Sequence, residues 1–363
     1  MKSKILLIAL SLTALLSCNT PAHYWKGADI GWATEYEAFG QKFYNADGQE
    51  RECTALMKEL GLDAVRFRVW VDPSAHGNWN GEQDLLVKAR RARDLGMDIM
   101  VDFHYSDFWA DPKKQNVPAA WSGKGYPAIK DSLAAHTRHI LSLLKKEGIQ
   151  PKWVQVGNEI SNGFLWTVKG DFWGDPVPDS LGRVTILESV GHLNNNPAQY
   201  AGLFKAGHDA VKEVFPKAQV IVHLDNGFYQ PLYDSNLDTL KKYGAKWDIV
   251  GMSLYPYWAL DSGLETDEEE TITHCMANIN HVWKKYRTPV MIVETGFEVD
   301  ESRPEVMEKG RDQLRRIIRE SRETGHCLGI FYWEPECRPG QYRLGAFTSD
   351  GRPTVIMDGF KEE

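Results

Sequence analysis

Eight short apolar runs alternate with helical patterns along this chain, and nearly every run begins apolar and ends polar or aromatic. They are GADIGW (around 28–32), AVRFRVWV (64–71), DIMVDFHY (98–105), WVQVGNEI (153–160), QVIVHLD (219–225), IVGMSLYP (249–256), PVMIVETG (289–296) and GIFYWEP (329–335). Helical periodicity falls between them at 83–95, 131–147, 199–214, 266–286 and 305–324. Strands alternating with helices predict an α/β chain, and eight of them predict a single (β/α)8 TIM barrel over residues 24–363. A doubly wound sheet is the structural alternative. It usually carries a glycine-rich phosphate turn after the first strand, and the sequence there has no GxGxxG pattern.

In a barrel the C-terminal strand ends converge on one face, where active sites are built. The residues at those ends here are Asp29, Arg66, Arg68, His104, Asn158, Glu159, His223, Asp225, Tyr255, Glu294, Trp333 and Glu334. Core packing alone does not ask for so many polar strand ends. Glu159 closes the fourth run and Glu294 the seventh. Two carboxylates facing each other across one mouth suit glycoside hydrolysis, one as acid and base and the other as nucleophile. A buried ion-pair partner is the plain alternative for either.

Rival chemistries have less support. His104 and His223 are possible metal ligands, but each stands alone on its strand and HExxH is absent, so no metal and no cofactor is expected. No GxSxG elbow supports serine catalysis. The net charge of −8 argues against nucleic acid or an anionic membrane surface as a partner. Many of the 13 Trp and 14 Tyr follow the runs, among them Trp70, Trp79, Trp109, Trp121, Trp166, Trp173, Tyr257, Trp258 and Trp333. Flat rings at a barrel mouth suit the apolar faces of sugars; burial in the core is the other reading.

The first residues stand apart. Lys2 and Lys4 precede an apolar run from Ile5 to Leu16, too short to span a bilayer, which reads as a secretory signal over residues 1–17. It ends Leu15-Leu16-Ser17-Cys18, which resembles a bacterial lipoprotein box. Lipid on Cys18 and a tether over 18–23 are therefore expected. That implies a cell-envelope lipoprotein of the outer membrane that meets the membrane only through this anchor, and a monomer is expected. An ordinary signal with a chance cysteine is the alternative. Cys53, Cys275, Cys327 and Cys337 show no metal spacing. Export permits a Cys327–Cys337 disulfide, and free buried thiols are equally compatible. Glu268-Glu269-Glu270 reads as the solvated start of a helix.

The words surrounding the strand ends narrow the reading. GADIGW, VRFRVWVDP, SDFWADP, VQVGNEISNGFLW, HLDNG, SLYPYW, VETGF and YWEP, in this order from about Gly27 to Pro335, resemble glycoside hydrolase family 53, the endo-β-1,4-galactanases. The resemblance implies a retaining hydrolase of β-1,4-galactan and type I arabinogalactan, with Glu159 as acid/base and Glu294 as nucleophile. It implies that Asn158 bonds the sugar 2-hydroxyl, that Arg66, with Arg68 beside it, holds the nucleophile charged, and that Tyr255 also touches it. His104 and Trp333 would shape the cleavage subsite. Asp29, Asp107, Trp109, Asp111 and Asp225 would support the site or contact sugar. Mannan or xylan hydrolysis, and a non-catalytic glycan-binding lipoprotein, are the competing functions. Some family members carry a calcium-binding insertion after strand seven; here VETGFEVDESRPEVMEKG runs almost directly into a helix, so no calcium is expected there. The loop after strand four, LWTVKGDFWGDPVPDSLGRVT, is long and could set chain-length preference.

Overall fold

A computed structural model describes residues 23–361. The signal, Cys18 and the tether up to residue 22 lie outside these residues. Eight parallel strands close into a barrel: β1 (Trp25–Asp29), β2 (Ala64–Val69), β3 (Asp98–Phe103), β4 (Trp153–Val156), β5 (Gln219–Leu224), β6 (Ile249–Leu254), β7 (Val290–Thr295) and β8 (Cys327–Trp333). All eight apolar runs are barrel strands. Closure comes from β1, which pairs with β8 from Trp25↔Gly329 to Asp29↔Trp333 and with β2 from Gly27↔Ala64 to Asp29↔Arg66.

Helices wrap the outside: α1 (Cys53–Glu59), α2 (Glu82–Asp94), α3 (Tyr126–Lys146), α4 (Pro197–Val214), α5 (Gln230–Lys242), α6 (Glu268–Tyr286) and α7 (Pro304–Glu323). A 3-10 helix, Val355–Phe360, packs on α7. The acidic triplet forms the first turn of α6, where negative charge faces the positive end of the helix dipole. The Asp267 carboxylate caps that turn by accepting from the backbone N–H groups of Glu269 and Glu270. Among the described residues no helix is long and apolar enough to cross a membrane.

Strand alternation decides what fills the barrel. In β2, Val65, Phe67 and Val69 face the helices, while Ala64, Arg66 and Arg68 face the axis. The lower interior is apolar: Ala64, Met100, Trp153, Ile221, Ile249, Met291, Val293 and Phe331 pack together. One step further along β2 to β5 the inward residue turns polar, giving Arg66, Asp102, Gln155 and His223. The barrel is therefore a packed plug below and a polar platform above. The four cysteines at 53, 275, 327 and 337 are buried free thiols, so Cys327 and Cys337 are not joined. No long insertion follows β7: residues 296–303 lead straight into α7.

Candidate active site

At the upper end of the strands lies an open cleft of about 490 Å³. Both glutamates reach it, by different backbone devices. Glu159 sits just after β4 with φ 46°, a left-handed conformation that a non-glycine residue adopts at a cost. Glu294 lies within β7. Met291 and Val293 both point into the barrel, so strict alternation would turn Glu294 outward. The ladder with β6 slips here: Met252 pairs with Ile292, but Ser253 pairs with Glu294. That bulge skips Val293 and aims Glu294 into the cleft beside Ser253.

Their surroundings differ in sign. Glu294 is 5% exposed. Its Oε1 lies 2.9 Å from Arg66 Nη1, and its Oε2 accepts from the Tyr255 hydroxyl at 3.0 Å. Burial raises its pKa, and Arg66 and Tyr255 pull against that rise. Among the described residues no cation contacts Glu159. Burial pushes its pKa well above the usual value, and the charges of Glu294, Asp225 and Asp111 push the same way; one hydrogen bond from Ser253 opposes them. Of the two, Glu159 is the one that keeps a proton.

Ser253 donates to Glu159 Oε1 at 2.6 Å. Behind it stands His223, with Nε2 2.8 Å from Ser253 Oγ and Nδ1 2.8 Å from Gln155 Nε2. Burial, with Arg66 nearby, holds the His223 pKa well below its usual value, so the ring is neutral. A neutral ring that accepts from the Gln155 amide at Nδ1 carries its hydrogen on Nε2 and gives it to Ser253. The order His223 to Ser253 to Glu159 fixes one carboxylate oxygen.

The floor is an ion network centred on Arg66. Its guanidinium bonds Asp29 Oδ2 at 2.7 Å, Asp102 Oδ2 at 2.8 Å and Asn158 Oδ1 at 2.8 Å, besides Glu294. Arg68 pairs with Glu334 and lies under the rings of Trp32, Trp70 and Trp109, 4.3 Å from the last. His104 turns Nε2 toward Asp102 at 3.1 Å and accepts at Nδ1 from Ala110 N at 3.1 Å. His104 and His223 thus each have both ring nitrogens engaged by protein groups. Among the described residues no cluster of three His, Cys, Asp or Glu could hold a metal ion.

The cleft wall brings together His104, Trp109, Asp111, Asn158, Glu159, Asp225, Tyr255, Glu294 and Trp333. Asp29, Arg66 and Arg68 lie beneath it rather than in it. Asp107 stands apart: its carboxylate accepts from Asp72 N at 3.1 Å and Ala119 N at 2.8 Å, tying two loops together. The wall also contains Trp258, one of the aromatics expected to follow a strand, together with Ser253 and Tyr342, which the sequence did not single out. Of the other aromatics, Trp70, Trp121 and Trp166 are buried, while Trp173 is exposed. Asp102 could have been found from Met100, Asp102 and His104, which alternate on one strand face. Tyr342 carried no such signal, because it follows β8 in irregular backbone.

A closed parallel barrel whose cleft holds two carboxylates, one poised to keep a proton and one braced by a guanidinium, is built as a glycoside hydrolase. Comparison with known proteins narrows the class. The chain belongs to glycosyl hydrolase family 53, whose family model matches residues 25–352. It is 29% identical over 342 residues to the endo-beta-1,4-galactanase of Bacillus subtilis, covering 86% of this chain and 70% of that protein. It is 26% identical over 354 residues to a probable arabinogalactan endo-beta-1,4-galactanase A of Neosartorya fischeri, covering 92% and 90%. Among solved structures, the Ignisphaera aggregans GH53 catalytic domain superposes with a TM-score of 0.78 at 27% identity, covering 95% of this chain and 97% of that one.

Proposed function

We propose that this enzyme is a retaining endo-β-1,4-galactanase acting on galactan and type I arabinogalactan. The observation that carries the reading is the unequal pair in the cleft: Glu294 braced by Arg66 and Tyr255, Glu159 half-buried near other carboxylates with no cation in contact among the described residues. In the first step a Glu294 oxygen attacks the anomeric carbon while Glu159 gives its proton to the departing glycosidic oxygen. In the second step Glu159, now ionised, takes a proton from water, and that water displaces Glu294 from the sugar. Ser253 holds Glu159 Oε1, which leaves Oε2 for the proton transfer.

Asn158 is placed to bond the 2-hydroxyl: its Nδ2 gives one hydrogen to Ala110 O at 2.8 Å and has a second to offer. His104, locked between Asp102 and Ala110, shapes the cleavage subsite without moving. Trp333 meets Trp109 with ring centroids 5.9 Å apart and Tyr342 at 4.7 Å, and gives the sugar an apolar platform. Asp111 and Asp225 on the cleft wall offer acceptors for sugar hydroxyls, while Asp29, Arg68 and Asp107 act as supports.

Incubation with galactan, 1,3-linked arabinogalactan, mannan and xylan tests the substrate. The expected result is new reducing ends from galactan alone, with mid-length oligomers appearing before short ones. Cleavage of mannan or xylan instead would move the function to another β-glycan. No cleavage of any would favour a binding protein. We also propose that Cys18 carries lipid, on the strength of Leu16-Ser17-Cys18 after the apolar run. Cys18→Ala should leave the detergent phase for the soluble envelope fraction; retention in detergent would rule the anchor out.

A further inference from the structure

Beyond Asn158 and Glu159, the chain between β4 and α4 makes a long excursion that the reaction does not use. Thr167–Val168 and Ile186–Glu188 pair antiparallel, and a bridge between Gly170 and Pro176 closes a tip over 171–175. The tip exposes two large rings, Phe172 at 68% and Trp173 at 53%, set nearly perpendicular at 5.0 Å. Exposed rings are costly in water, and such patches mark binding surfaces.

The tip is held in place. Asp171 Oδ1 accepts from Trp173 N at 2.8 Å and Asp175 N at 3.0 Å. From below, the buried Lys114 pairs with Asp175 and donates to Trp173 O at 3.3 Å, and Asn116 Nδ2 donates to Gly174 O at 3.1 Å. Lys114 also lines the catalytic cleft. One residue therefore joins the cleft wall to the hairpin tip.

A second connection runs through aromatic rings. Trp173 lies 5.7 Å from Phe108 and 5.7 Å from His76, which stacks on Phe108 at 3.8 Å. Phe108 in turn lies 6.0 Å from Trp109, which faces Trp333 at the cleft floor. The ridge passes from β8 through the loops after β3 and β2 to the hairpin after β4. Four separate segments contribute to it, so local sequence alone does not account for the alignment.

We infer that the tip is a distal glycan-binding subsite, in which Trp173 and Phe172 stack on sugar units of a chain whose other units occupy the catalytic cleft. The ligand is a neutral, β-linked hexose polymer long enough to reach both places; the inference rests on the proposed galactanase activity. A membrane surface fits poorly. Asp171 and Asp175 stand at the tip, and Trp25 opens β1 at the opposite rim of the barrel. A protein partner is the competing occupant, since Leu181 and Leu187 on the same hairpin are also exposed.

The test compares the parent with Phe172→Ala, Trp173→Ala and the double variant on two substrates. One is galactan polymer; the other is a dinitrophenyl β-galactobioside, too short to reach the tip. The double variant should lose about 3- to 10-fold in kcat/KM on polymer, mainly through KM, as expected for the loss of one or two stacking contacts. On the short substrate its kcat/KM should be unchanged. Unchanged polymer kinetics would overturn the inference and leave a protein partner as the occupant of the rings. Equal losses on both substrates would also overturn it, because the hairpin would then act by shaping the cleft. If the parent cuts no galactan, the galactanase reading fails first; if it cuts galactan and the variants match it, only the subsite fails.

Discussion

Replacing Arg66 with methionine probes the structure at its most connected point. The guanidinium is 1% exposed and holds Asp29, Asp102 and Glu294 within 2.9 Å. Burial alone would lower the Arg66 pKa, but these three carboxylates raise it instead. Arg66→Met keeps much of the volume and removes the charge. Asp102 retains His104 and Gln155, and Glu294 retains Tyr255, so the network is weakened rather than emptied. Breaking a buried pair by removing one partner costs about 3–5 kcal/mol. For a chain of this length the unfolding entropy is about 0.7 kcal/mol per kelvin, which puts the fall in Tm at about 4–7 °C. The pH dependence gives a second check. Burial works against ionised Asp102, yet Arg66 and His104 hold its pKa below the usual value, so in the parent its contribution is present near neutrality and fades in acid. Without Arg66, Asp102 loses its main opposing charge and rises, while Asp29 and Glu294, already raised by burial, rise further, so that their charge is a penalty near neutrality that protonation removes. The gap in Tm between parent and variant should therefore shrink between pH 7 and pH 4.5. Thermal unfolding followed by calorimetry at both values measures it. A Tm within 1 °C of the parent, or a gap as wide at pH 4.5 as at pH 7, would refute the ion network as described.

Two further predictions concern the cleft. Trp333→Ala should fold with near-parental stability and lose about tenfold or more in kcat/KM on galactan, since the ring is proposed to stack on and orient the sugar; an unchanged rate would make it a packing residue. Ser253→Ala removes the hydrogen bond that lowers the Glu159 pKa, so the alkaline limb of the kcat/KM profile should move to higher pH, whereas Tyr255→Phe removes one that lowers Glu294, so the acidic limb should rise. Movement of the opposite limb in either variant would reverse the two roles.

The strands were legible because each is a short β-branched or aromatic run bounded by turn residues. The strand ends were legible because a barrel sends them to one face. What stayed hidden depends on neighbours. Ser253 looks like any small residue until the bulge at Val293 sets it beside Glu294 and Glu159. His223 at a strand end suggests a metal ligand, but its role comes from Gln155 and Ser253 on the two strands that flank it. Glu334 was seen as a polar strand end, while its pairing with Arg68 depends on β8 closing against β1 next to β2. The expectation that Arg66 would favour a charged Glu294 captured the sign of one interaction and missed the opposing weight of burial. Asp107 shares its motif with the cleft residues Trp109 and Asp111, yet it turns to the backbone of two loops, which spacing along the chain does not reveal.

The assignment of the two glutamates is tested most directly by the anomer formed with azide. Glu159→Ala and Glu294→Ala are each given a dinitrophenyl β-galactoside and sodium azide, and the products are read by proton NMR. The dinitrophenolate leaves without a proton, so Glu159→Ala should still form the glycosyl–enzyme intermediate on Glu294 and release a burst of phenol. Azide needs no general base, and its attack on that intermediate should yield the β-galactosyl azide. In Glu294→Ala no intermediate forms, and azide occupying the vacated space should displace the phenol directly to give the α anomer. An α-azide from Glu159→Ala, or substantial galactan hydrolysis by both variants, would contradict the assignment.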